Sequence, residues 1–279
     1  MAAIALALSA SLTWGVADFF GPLKGRSLGA LRVLVYVQLG GLVAIAGMVA
    51  IRGKGPADAA ALLAIPAALS GTLGLYAYYR GIAVGAISIV APIAGVSAVV
   101  PVTVGIASGD RPSALQLVGI AASLCGVFLA SREPAAARST RSMLAPGVGL
   151  ALLAALGFGG YFPPMHAAGN ADFWWASLIF RLTSTSVILA AVAVRRPSLS
   201  LPPLQVPALA LIGIGDMLGN LLFAASASQG LVSITSVLAS LYPIVTVLLA
   251  RALLDERVAR SQELGIALTL AGVALISAG

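Results

Sequence analysis

The stretch Asp110-Arg111-Pro112-Ser113-Ala114-Leu115-Gln116-Leu117-Val118-Gly119-Ile120-Ala121-Ala122-Ser123-Leu124-Cys125-Gly126-Val127 returns 146 residues later as Glu256-Arg257-Val258-Ala259-Arg260-Ser261-Gln262-Glu263-Leu264-Gly265-Ile266-Ala267-Leu268-Thr269-Leu270-Ala271-Gly272-Val273. Eight of the eighteen positions are identical, and Asp/Glu and Ser/Thr exchanges add two conservative matches. Upstream the register continues with a slip of one residue: Gly74, Gly85, Ser88 and Ile89 fall on Gly219, Gly230, Ser233 and Ile234. An internal repeat in an apolar chain is a transporter signature, with the substrate site where the copies meet.

Apolar residues make up 60% of the 279 and charged residues only 9%, with a mean hydropathy of +1.05. A water-soluble domain of this size needs a charged surface, which this composition does not supply. Apolar runs of the length that crosses a bilayer, about 20 residues, recur throughout. The formal charge of +7 does not point to nucleic acid, because the basic residues sit in loops between apolar runs; that is how membrane proteins are anchored. The one cysteine, Cys125, lies in an apolar run, so neither an intrachain disulfide nor a thiolate metal site is expected. The opening apolar stretch has no basic segment before it and reads as a membrane helix, not a cleaved signal.

Ten spans are expected: 2–20, 28–51, 59–79, 87–107 and 113–130, then 144–163, 173–194, 204–228, 233–253 and 261–277. The fold class is therefore all-α integral membrane. Residues 1–131 form one five-helix unit, 132–143 a polar linker carrying Arg132, Glu133, Pro134, Arg138 and Arg141, and 144–279 the second unit. Five is odd, so the second copy enters the membrane from the opposite side. The units are then inverted repeats related by a pseudo-two-fold axis in the membrane plane. Lys24, Arg26, Arg80, Arg132, Arg138, Arg141, Arg195, Arg196, Arg251, Arg257 and Arg260 fall on one side; Arg52, Lys54 and Arg111 fall on the other. The basic side is expected to face the cytoplasm, which puts both termini outside.

The chain resembles the drug/metabolite transporter (DMT) superfamily, in its ten-helix EamA-type branch. Trp14-Gly15, the turn 81–88 leading to Pro92, the turn 226–233 leading to Tyr242-Pro243, and the endings Asp110-Arg111…Gln116…Gly119 and Glu256-Arg257…Gln262…Gly265 carry the resemblance. It spans essentially the whole chain and says nothing about substrate. Asp110 replaces the commoner Glu, and Phe158-Gly159 stands where Trp-Gly is expected. The resemblance implies a central cavity lined by spans one, three, four, six, eight and nine. It also implies transport of a small metabolite, often as export.

Charges inside hydrocarbon are costly and mark function or pairing. Asp216 lies mid-span, and its counterpart in the first unit is Gly71, so the scaffold's symmetry does not require it. Asn220, four residues on, shares its face. Asp216 reads either as a proton- or cation-binding group or as a partner that fastens Arg181 to a neighbouring helix. Arg181 itself reads as a structural partner or an anion-binding group. Asp18 reads as an interfacial acid paired with Lys24 or Arg26, or as a carboxylate at the cavity mouth. Arg32, near a span's start, reads as snorkelling. Trp14, Tyr76, Tyr161 and Tyr242 join Asn220 as candidate substrate contacts, with plain packing as the alternative. Trp174 and Trp175 read as interfacial anchors. His166, the single histidine, follows Pro163-Pro164 and reads as a solvated residue at a helix end. Pro92, Pro101 and Pro243 interrupt apolar runs and read as kinks lining the cavity.

No phosphate-binding glycine loop, His-Glu-x-x-His or Gly-x-Ser-x-Gly occurs, so no enzyme activity, cofactor or metal is expected. The expectation is an inner-membrane, multi-pass secondary transporter, monomeric or homodimeric, for an amino-acid-like, amphiphilic or cationic solute, the balance of cavity charges pointing to a neutral, zwitterionic or cationic one. It would export by alternating access with proton coupling. The competing readings are a non-transport scaffold and a lipid-handling membrane enzyme. A wet polar cavity between the units separates a transporter from a scaffold.

Overall fold

In the computed structural model, residues 1–84, 90, 94, 96–130, 147–254 and 260–279 are described, with the backbone alone at 130, 247, 250, 251, 254, 262 and 277. The linker 132–143, Gly85, Ser88 and Ile89 of the repeat, Pro92, and Glu256-Arg257 lie outside the described residues.

Among the described residues the elements are all helical. They are α1 (Ala2–Leu28), α2 (Ala30–Arg52), a 3-10 turn (Ala59–Leu63) leading into α3 (Ala64–Val84), and a second 3-10 turn (Val96–Ala98) leading into α4 (Val99–Ala107). Then follow α5 (Ala114–Ala130), α6 (Val148–Arg195), α7 (Gln205–Ala227), α8 (Val232–Ala239), α9 (Tyr242–Leu254) and α10 (Arg260–Ala278). Among the described residues five helices are each long and apolar enough to cross a membrane: α1, α2, the 3-10 turn with α3, α6, and α7.

The 48-residue α6 is two helices joined at Asp172, whose backbone is extended (φ −159, ψ 100). Each arm is about 35 Å long at 1.5 Å per residue, enough for one crossing of a roughly 30 Å hydrocarbon layer. The sixth span was expected to stop at Pro163. Instead the first arm runs through Pro163 and Pro164 to the bend. Likewise α1 runs through Pro22 to Leu28 and not to residue 20. Each proline removes one backbone donor, which a helix packed among other helices tolerates. The bend falls at Asp172 because its carboxylate is a better terminator. Its Oδ1 accepts hydrogen bonds from the backbone N–H groups of Trp174 (3.0 Å) and Trp175 (3.2 Å), the geometry of an N-cap. The expected interruption at Pro243 coincides with the break between α8 and α9; Pro101 lies one turn into α4.

Small residues let the helices meet, as they must where lipid supplies no hydrophobic drive between them. The contacts are reciprocal between the repeats. A Cβ on Gly119 would lie 2.7 Å from the carbonyl oxygen of Gly272, and one on Gly126 would lie 2.7 Å from that of Gly265. Gly119 corresponds to Gly265 and Gly126 to Gly272, so α5 and α10 cross antiparallel, each using the other's equivalent residues. The ring of Trp14 covers Gly219 as Phe158 covers Gly74. A Cβ on Gly15 would lie 2.8 Å from the carbonyl oxygen of Tyr242, and one on Gly159 would lie 2.7 Å from that of Ser97. Outward, Leu156, Leu211, Leu264 and Leu270 are exposed, while Ser184, Ser226, Ser233, Thr235 and Ser236 are buried. The apolar side chains face out and the small polar ones in, as lipid surroundings demand.

Candidate functional site

α1, α3, α6, α7 and α9, with Gln38 of α2, converge on one cavity of about 70 Å³, room for several waters at about 10–15 Å³ of such volume each. The polar side chains on its wall are Asp18, Gln38, Thr72, Asp216 and Asn220. Its aromatic wall is Trp14, Phe158, Tyr161, Phe162, Phe180 and Tyr242. The rings meet edge to face, Trp14 with Tyr161 at 5.8 Å and Tyr161 with Phe180 at 5.3 Å, the orientation their quadrupoles favour.

Asp216 is held from behind. Arg181 Nη2 donates to its Oδ2 at 2.7 Å, and Arg181 Nη1 donates to Gln38 Oε1 at 2.5 Å. Ser184 Oγ donates to the same Gln38 oxygen at 3.2 Å. Arg181 is 1% exposed and does not line the cavity. Of the two readings left open for Asp216, pairing with Arg181 is the one present in the geometry. The backbone carbonyl of Asp216 accepts from Trp14 Nε1 (3.2 Å) and Asn220 Nδ2 (2.8 Å), which ties α1 to α7 and orients the indole.

Asp18 lies on the same wall and differs in kind. It pairs with neither Lys24 nor Arg26; Lys24 Nζ donates instead to Gln205 Oε1 at 2.9 Å. Among the described residues Asp18 has no hydrogen-bond or ion-pair partner. The interfacial reading of Asp18 is thereby replaced: α1 continues past it for ten residues, so it faces the cavity instead of the helix end. Three hydroxyls on the wall, Tyr161 Oη, Tyr242 Oη and Thr72 Oγ1, are buried and without a partner among the described residues, a state that usually means a ligand or water completes them.

Trp14, Tyr161, Asn220, Tyr242, Asp18 and Asp216 thus come together, with Arg181 behind them. Tyr76 does not join them. Its ring lies 5.7 Å from the Arg195 guanidinium, while Gly71, Thr72 and Leu75 are the α3 residues on the wall. His166 is not a solvated end residue either. It lies within α6, half-buried, with Nε2 3.0 Å from the Gly230 carbonyl oxygen. Arg32 Nε donates to the Ser198 carbonyl at 2.7 Å near the surface. Trp175 Nε1 donates to the Lys54 carbonyl at 2.9 Å, and Arg52 lies over the Trp174 ring at 5.9 Å while its Nη1 reaches Asp172 Oδ1 at 3.5 Å.

Sequence reasoning missed Gln38, Thr72, Phe162 and Phe180. Gln38 had a signal, an amide alone in an otherwise apolar run of α2. The others look like ordinary membrane-span residues until the helices are packed.

Curated protein sequences give no match. Among 28 matching solved chains, one described as "Crystal structure of protein" superposes with a TM-score of 0.79 over 99% of this chain and 98% of its own, at 19% identity; at that identity the likeness is one of fold. The model of the EamA-like transporter family matches twice, over residues 1–132 and 145–278. The two matches coincide with the two copies of the repeat, and this multi-pass membrane protein belongs to the EamA-like transporter family.

Proposed function

We propose that the chain is a secondary active transporter that moves a small solute by alternating access, in the export direction, across the inner membrane. Its two units, 1–131 and 144–279, joined by 132–143, cross the membrane five times each in opposite senses. The antiparallel crossing of α5 with α10 supports the inversion, since equivalent helices of inverted repeats must run oppositely. The observation that carries the reading is the cavity itself, built from both units and holding an acid with no partner among the described residues.

Rocking one unit against the other closes the cavity to one side before it opens to the other. A bare carboxylate enclosed away from water is costly. Asp18 therefore permits the occluded state only when it carries a proton or a bound cation. Proton and solute then take turns on it, which couples their movements. Asp216 does not need either, because Arg181 already compensates it. Trp14, Tyr161, Asn220 and Tyr242 contact the solute.

The test is a screen followed by a coupling assay. Cells expressing the protein are challenged with amino acids, polyamines and toxic amphiphiles. The best solute is then added to proteoliposomes that carry a lumenal pH dye. Wild type is expected to show a solute-evoked pH change, and Asp18→Asn none. An equal pH change in both proteins would remove the coupling role from Asp18.

A further inference from the structure

We propose that the cavity selects an organic monocation: a protonated amine on an aromatic body, with a hydrogen-bonding group at its other end. This names the solute class for the transporter reading and rests on that reading for its purpose, although its chemistry comes from the cavity wall alone.

The charge count comes first. Among the described residues the charged side chains on the wall are Asp18 and Asp216, with no Lys, Arg or His beside them. Arg181 cancels Asp216 through the 2.7 Å pair and is too deeply buried to meet a solute. One uncompensated negative charge remains, on Asp18. A neutral solute leaves it bare and a dication overshoots it. An amino acid brings a carboxylate that finds two acids and no exposed cation, so the zwitterion is disfavoured against the corresponding amine.

The shape of the wall supplies the rest. Under the repeat, Asp18 corresponds to Phe162, Asp216 to Gly71 and Asn220 to Leu75. The acids are thus confined to α1 and α7, while the equivalent places on α6 and α3 are apolar. A solute with its charge at one end and its ring at the other matches that division, with the ring among Phe158, Phe162 and Phe180. At 5% and 3% exposure, Tyr161 of α6 and Thr72 of α3 place on the apolar side two hydroxyls with no partner among the described residues. These reward a solute whose far end carries a hydroxyl, since a buried unpaired polar group is expensive.

Trp14 on the wall reports binding once Trp174→Phe and Trp175→Phe leave it as the sole tryptophan. The purified full chain in nanodiscs is titrated with tyramine, tyrosine, 4-hydroxyphenylacetate and phenethylamine. Its Trp14 emission is excited where none of these absorbs. Tyramine is expected to bind saturably, and tyrosine and 4-hydroxyphenylacetate at least about tenfold more weakly. Asp18→Asn is expected to lose about a hundredfold in tyramine affinity, with Asp18→Glu restoring most of it. Thr72→Val is expected to shrink the advantage of tyramine over phenethylamine. A thermal unfolding midpoint near wild type certifies each variant as folded. Tyrosine bound as tightly as tyramine, no tyramine binding by folded wild type, or full tyramine affinity in folded Asp18→Asn would each overturn the proposal. Tyramine bound but never carried across proteoliposomes would sink the transporter reading and leave the solute class standing. Flux of other solutes through a protein blind to tyramine would do the reverse.

Discussion

Asp18 and Asp216 look alike in the sequence, two acids in apolar spans, but their surroundings give them opposite duties. Asp216 completes an ion pair with an arginine that has almost no access to water. Asp216→Asn strands that guanidinium, and a broken buried pair costs about 3–5 kcal/mol. A clear fall in the thermal unfolding midpoint is expected. The double variant Arg181→Met with Asp216→Asn removes both charges and is expected to recover most of the loss. If the single variant were as stable as wild type, the pair would not be holding α6 to α7. Asp18 gives the contrasting result. It has no partner among the described residues, so Asp18→Asn is expected to leave stability unchanged or slightly raised while it damages solute binding. A large loss of stability in Asp18→Asn would mean that it braces the fold.

At the scale of elements, glycine spacing and one cap do most of the positioning. α5 and α10 touch backbone to backbone at Gly119 and Gly272. Gly119→Val is expected to force the pair apart and lower the unfolding midpoint. Gly47→Ala, in a helix where the new methyl meets nothing within 4 Å, is expected to be neutral or stabilising by up to about 1 kcal/mol. Equal effects from the two would contradict a close crossing. Asp172 divides α6 into its two arms. Asp172→Ala removes the cap from Trp174 and Trp175 and the partner of Arg52, and is expected to cost at least about 1 kcal/mol. Hydrogen exchange at the start of the second arm measures it directly: protection should fall there first.

For the whole molecule, the inverted arrangement and the placement of basic loops lead to one topological expectation. A C-terminal reporter active only in the cytoplasm should stay silent, and the same reporter inserted in the linker 132–143 should be active. Activity in the reverse pattern would turn the molecule over in the membrane without disturbing its internal symmetry, because the reciprocal contacts of Trp14 with Gly219 and Phe158 with Gly74 do not depend on orientation.

Much of this was legible along the chain. The returning motif at Asp110 and Glu256, the scarcity of charge and the lengths of the apolar runs led to an all-helical, two-unit membrane protein, because periodicity and hydropathy are one-dimensional properties. Asp216, Asp18, Trp14, Tyr161, Asn220 and Tyr242 stood out because polar and aromatic side chains are rare in such runs. Helix ends were less legible: Pro163 looked like a terminator, yet the bend falls at Asp172, where a carboxylate has backbone donors to cap. The duties of the two acids were legible only as alternatives: pairing with Arg181 was one of two readings of Asp216, and the sequence did not choose between them. Which carboxylate meets Arg181, that Gln38 orients the guanidinium, and that Tyr76 turns away toward Arg195 depend on helix rotation and crossing. Those are set by the packing of small residues between distant parts of the chain, and a linear pattern carries no record of that phase.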